Sequence, residues 1–185
     1  MPDLYKFGWL PDGTNEQPYE YPNIWAVEKT TGPDRLVIAP KSRYIELLLH
    51  LAKSLDAPYG LLYVLTLPRG GGTAGRYQHP FQLSFDDLEL FLYSYQELLE
   101  QDARNSIWIQ SSSGLLIYDR HNVIYAYGPL DAFKATLSKE GLQEFKELRF
   151  PSPHTHRYHF QYDDAQANIL REVDWVISPL RPRDD

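Results

Sequence analysis

SIWIQ-SSSG-LLIYD-RHN-VIYAYG-PLDAFKATLSKE-G, residues 106–141, is the stretch from which the fold can be read. Three runs rich in Ile, Val, Tyr and Trp are separated by clusters of turn-forming residues. That pattern predicts an antiparallel three-stranded meander over about 106–127. In the run that follows, Phe133 and Leu137 fall at helical spacing. Pro129 or Asp131 marks its start, and Gly141 stands where a left-handed residue would stop it. A helix over about 130–140 is predicted. A meander that feeds a helix points to the α+β class, because the amphipathic helix needs a sheet face to cover its apolar stripe.

The rest of the chain supplies the partners. Ile45, Leu48, Leu49, Ala52 and Leu55 recur at helical spacing and predict a helix over about 42–55, ended by Ala57-Pro58. Ser84 and Asp87 form a variant capping box ahead of Leu88, Phe91, Leu92, Tyr95, Leu98 and Leu99, so a longer helix is predicted over about 84–101. Ile24–Lys29 and Leu36–Ala39 read as strands around a turn at 31–34. Gly60–Leu67 has almost no polar residue and reads as a central strand buried on both faces. Residues 77–83 suit an edge segment, since Pro80 cannot donate to a ladder. Toward the end, 142–150 fits a short helix or a strand, 157–162 alternates as a half-buried strand does, 163–172 reads as a helix and 173–177 as a last strand. The expected architecture is a single α+β domain over 1–185, a mostly antiparallel sheet packed by two longer helices and a shorter one. An irregular arm (1–23), pinned by its aromatic rings, precedes it, and a loose tail (178–185) ends it.

Composition narrows the function. The formal net charge is −7 and no basic cluster occurs, which argues against nucleic-acid binding. The absence of cysteine removes disulfides, thiolate nucleophiles and thiolate metal sites. The opening residues have no basic, apolar leader pattern, and no run approaches the roughly 20 apolar residues of a membrane span. A soluble cytoplasmic protein without membrane contact is the expectation.

Four groups of residues could carry chemistry. His154, His156 and His159 form the one dense cluster of ligand-type side chains, with Asp163 close by; neutral imidazole suits a divalent transition metal. In an extended chain His154 and His156 share a face while His159 points away, so convergence of all three requires a turn. The simpler reading is of histidines bonded to backbone and water. Arg69, Gly70, Gly71, Gly72, Gly75 and Arg76 form a glycine loop flanked by arginines after a buried strand, an arrangement able to cradle a small anionic ligand. It matches no phosphate-loop motif, and a flexible connection is the plainer reading. Asp119-Arg120-His121-Asn122 reads as a hairpin turn that shows its side chains to solvent, with Arg120 and His121 available to a partner. The acidic helix residues, Glu97 and Glu100 among them, suit either a solvated face or docking of a basic partner.

No nucleophile elbow or comparable catalytic motif occurs. The leading expectation is therefore a non-catalytic binding or interaction protein of unknown partner and with no cofactor, one subclass of which neutralises a basic protein partner. The alternatives are a metal-dependent hydrolase built on the His154/His156/His159 cluster and a small-ligand protein built on the glycine loop.

Overall fold

Ile107, Ile109, Leu116, Tyr118, Ile124 and Ala126 occupy every second position of three strands, and all are buried. This period-two pattern fixes one face of a large sheet against the helices. The computed structural model describes residues 4–182 and 184. Its strands are β1 (Phe7–Trp9), β2 (Gln17–Pro18), β3 (Ile24–Glu28), β4 (Arg35–Ala39), β5 (Gly60–Leu65), β6 (Gly75–Gln78), β7 (Asn105–Gln110), β8 (Leu115–Tyr118), β9 (Ile124–Tyr127), β10 (Gln143–Glu144), β11 (His154–His156) and β12 (Val176–Ser178). Its α-helices are α1 (Tyr44–Ala52), α2 (Phe85–Ser94), α3 (Gln96–Gln101), α4 (Leu130–Lys139) and α5 (Asp163–Glu172).

Among the described residues, nine strands form the large sheet in the order β10-β3-β4-β9-β8-β7-β5-β6-β12, and β11-β1-β2 form a small one. All pairings are antiparallel except β10 with β3. The fold is α+β, as the meander and the helix stripes predict. One face of the large sheet joins the main core with Leu48 of α1, Leu92 of α2, Leu99 of α3, Phe133 of α4 and Ile169 of α5. The small sheet covers part of the other face: Phe7 of β1 and Tyr21 of the same arm pack in one cluster with Ile24, Val37, Ala39 and Val123. The expected irregular arm thus contains two strands, and its rings Phe7, Tyr19 and Tyr21 pack on one another. No helix among the described residues is long and apolar enough to cross a membrane.

Several boundaries move for local reasons. The predicted 84–101 helix is two helices, because Tyr95 leaves helical geometry (φ −116°, ψ 15°) and its hydroxyl donates to Glu172 at 2.6 Å. The Ser84 cap is present: its Oγ accepts from Asp87 N at 3.2 Å. Helix α1 begins after a left-handed Arg43 and has no cap from its own start. Glu100 supplies one from α3, accepting from Ile45 N at 2.9 Å. Its carboxylate is committed to this cap, whereas Glu97 is exposed on the same short helix. Residues 157–162 are not a strand. Arg157 N bonds Lys6 O and Ala103 N bonds Arg157 O, after which a 3-10 turn at Phe160–Tyr162 leads into α5. The final strand is Val176–Ser178, paired on β6.

The glycine loop is packed against α5. A Cβ on Gly70 would lie 2.5 Å from Asp163 O, and one on Gly72 (φ +83°) would lie 2.4 Å from Leu170 Cδ1. Gln166 ties the loop down by donating to Gly71 O at 2.8 Å. The glycines therefore serve close approach of a loop to a helix. Gly70→Ala is expected to destabilise the protein by about 1–3 kcal/mol through overpacking against backbone. A lower urea midpoint would show it, and an unchanged midpoint would mean that the loop and α5 part freely.

Candidate metal centre

The β8–β9 hairpin turn is built by Asp119. One carboxylate oxygen accepts from His121 N at 2.9 Å and Val123 N at 3.1 Å, while Asn122 adopts φ +61°. Asn122 is held there by the buried Tyr118 hydroxyl, which donates to its Oδ1 at 2.8 Å. This geometry turns the His121 side chain inward to a half-buried position. The second Asp119 oxygen lies 2.8 Å from His121 Nδ1. A carboxylate only accepts, so that nitrogen carries a proton, and Nε2 is the nitrogen left to ligate.

The other wall is β11. His154 and His156 stand two residues apart and share a face, in register with Trp9 and Phe7 of β1. His154 Nδ1 lies 3.0 Å from Pro151 O, which again fixes the proton on Nδ1 and frees Nε2. His156 Nε2 is buried and has no hydrogen-bond partner among the described residues. Burial first, then the neighbouring His121, Arg120 and His154, push the His156 pKa down to about 3. The ring is therefore neutral at physiological pH, the form that ligates metal.

The three rings stand nearly perpendicular to one another, with centroids 4.7–5.4 Å apart and interplanar angles of 71–84°. One ring nitrogen from each of His121, His154 and His156 lies within 4.8 Å of the other two. Phe7 closes the base at 5.4–5.8 Å from each ring, and Phe150 flanks His121. His154 is exposed, so the cluster opens on its side. Three imidazoles, two with their second nitrogen back-bonded, make a donor set that fits a divalent transition ion with a further coordination position open.

The sequence-expected set is rearranged. His159 is outside the cluster: its Nε2 lies 2.9 Å from Tyr5 O, and its backbone N donates to Asp102 at 2.6 Å. Asp163 is also elsewhere, bonded by Arg104 at 2.8 Å and lying 3.8 Å from Arg69. The chain does turn after His156, but toward α5, which carries both residues away from the rings. His121 takes the third place, where a turn residue displayed to solvent was expected. The signal for it was the Asp119-x-His121 spacing, a carboxylate placed to orient an imidazole. From the glycine loop, Arg76 lies on β6 with its guanidinium 4.7 Å from the Trp108 ring, while Gly71 and Gly75 belong to the α5-facing loop and the start of β6. Compared with protein-family models, curated proteins and solved structures, the chain matches none.

Proposed function

We propose that this is a metal-dependent protein that holds one divalent transition ion, zinc in the first instance, between His121, His154 and His156. The observation that carries this reading is the meeting of three imidazoles at the junction of two sheets, with a buried His156 Nε2 that no described residue bonds. A buried polar nitrogen without a partner is costly unless something binds it. Asp119 and the Pro151 carbonyl orient their rings, and Phe7 keeps water from the base. When bound, an ion with three histidine ligands lowers the pKa of a water in its open position toward about 7, which is hydrolytic chemistry. His121 also lines a cleft on the outer sheet face, giving a small substrate a route to the cluster.

Tag-free protein is expected to bind about one zinc per chain by calorimetry and elemental analysis. His156→Ala and His121→Ala should abolish that binding, and Asp119→Asn should weaken it about 10–100-fold. His159→Ala should leave it unchanged. Wild-type protein that binds no transition metal, or metal retained when His156 is removed, would overturn the reading.

A further inference from the structure

The outer face of the large sheet is only partly covered by the small sheet. The remainder forms a cleft whose floor follows from strand alternation. Trp108 pairs with Ile117, Ile117 with Tyr125, and Leu115 with Tyr127. Two lobes of about 790 and 810 Å³ share Trp108, Leu115 and Tyr127. Arginines stand on the aromatic floor in a chain whose net charge is −7. The Arg35 guanidinium lies 4.3 Å from the Tyr125 ring, and that of Arg76 lies 4.7 Å from Trp108. Arg35 is engaged by Glu28 at 2.7 Å and by the Tyr127 hydroxyl at 2.7 Å.

Arg76 has a different partner, one that comes from the tail. Asp184 bonds the Arg76 guanidinium, and its side chain is 1% exposed. Its other carboxylate oxygen accepts from Arg181 N at 2.6 Å, and Asp184 N donates to Arg181 O at 2.9 Å, so the chain makes a turn as it enters. The tail was expected to be loose; Asp184 is instead seated in the cleft, while residues 183 and 185 lie outside the described residues. A nearly buried arginine held over an indole is a pre-formed carboxylate anchor: the ring fixes the planar fork, and the apolar floor strengthens the pair.

We propose that this cleft is a docking site for a peptide segment of a partner that presents an aspartate carboxylate in a turn, with Arg76 as its anchor and the chain's own Asp184 as resident competitor. The tail shows what the cleft accepts: a short peptide turn that presents one carboxylate. Two lobes that meet at Trp108 suit a peptide running across both. A bound tail masks the anchor, so a partner segment competes with an intramolecular carboxylate held at high effective concentration. This inference rests on Arg76 and Asp184, which take no part in the metal centre, although His121 lines one lobe of the same cleft.

The test uses the full chain and a synthetic peptide of sequence PLRPRDD, residues 179–185. Asp184→Asn should bind the peptide by calorimetry at least about tenfold more tightly than wild type, because its own tail no longer holds Arg76. Arg76→Met in the Asp184→Asn background should abolish binding while far-UV circular dichroism and thermal unfolding stay near those of Asp184→Asn alone. A peptide with its aspartates replaced by asparagine should not bind. Equal affinity of wild type and Asp184→Asn, no binding to Asp184→Asn, or binding that survives loss of Arg76 would each overturn the proposal.

Discussion

Arg104→Met is expected to destabilise the protein by about 3–5 kcal/mol. Arg104 is fully buried and satisfies every side of its guanidinium within the protein. It makes a two-pronged bond to Asp102 (2.8 and 2.9 Å), and single bonds to Asp163 (2.8 Å), Gln166 (2.8 Å) and His159 O (2.7 Å). Methionine fills much of the volume but leaves the Asp102 carboxylate, itself 0% exposed, without its counter-ion. Uncompensated burial of a charge dominates the effect. Urea unfolding should show a lower midpoint, and thermal unfolding a fall of about 6–20 °C for a chain of this size. Arg104→Lys should recover little, since one ammonium cannot reproduce a planar fork that reaches four groups. A midpoint within about 0.5 kcal/mol of wild type would show that the segment at 157–166 does not depend on this residue.

Stability is expected to rise with pH between about 7 and 10, and Lys6 is the reason. Its ammonium is buried, donates to Leu99 O at 2.8 Å and lies 3.7 Å from the Tyr118 ring. Leu99 O is one of the last carbonyls of the short helix α3, so a cation suits that place. Burial nevertheless pushes the Lys6 pKa down from 10.5 to about 7, opposed only partly by Asp119, Glu100 and Asp102. Below pH 7 both folded and unfolded chains hold the proton, and the folded state bears the full cost of enclosing it. Between about 7 and 10.5 the unfolded chain binds more protons than the folded one, so each pH unit adds up to about 1.4 kcal/mol of stability. The gain ends as tyrosines take over. Tyr21, Tyr44, Tyr63 and Tyr118 are all pushed above 10 by burial, so above pH 10 the unfolded chain loses protons that the folded one keeps. Urea midpoints at pH 7, 8 and 9 should climb for wild type and stay flatter for Lys6→Met. Parallel profiles would place the titration elsewhere.

The meander and the helix stripes were legible because period-two and helical spacing are written in consecutive residues, as in Ile107/Ile109 and Leu88/Leu92. The helix break at Tyr95 was not, since the apolar stripe runs through it and the cause is a bond to Glu172, 77 residues away. The small sheet was hidden for the same reason: β1 pairs with a segment almost 150 positions later, and neither strand exceeds three residues. At the candidate centre the shared face of His154 and His156 followed from alternation alone. The third ring depended on which loop the fold brings alongside, and no spacing within one segment could supply it. The cleft had a faint mark in the sequence. Trp108, Tyr125 and Tyr127 fall on the strand positions opposite the helix-facing set, so β7 and β9 carry bulky apolar bodies on both faces and neither face reads as plainly solvated.

The large sheet tapers. Its outermost members, β10 and β12, have two and three residues, whereas β5 and β7 further in have six each. Pro179 follows β12 at once and has no amide hydrogen to offer. Each rim therefore gives an incoming strand few backbone groups to grip, even though Val176 and Ile177 are exposed there. Lateral growth from copy to copy is blunted at both ends, so a broad antiparallel platform need not become the seed of a fibre.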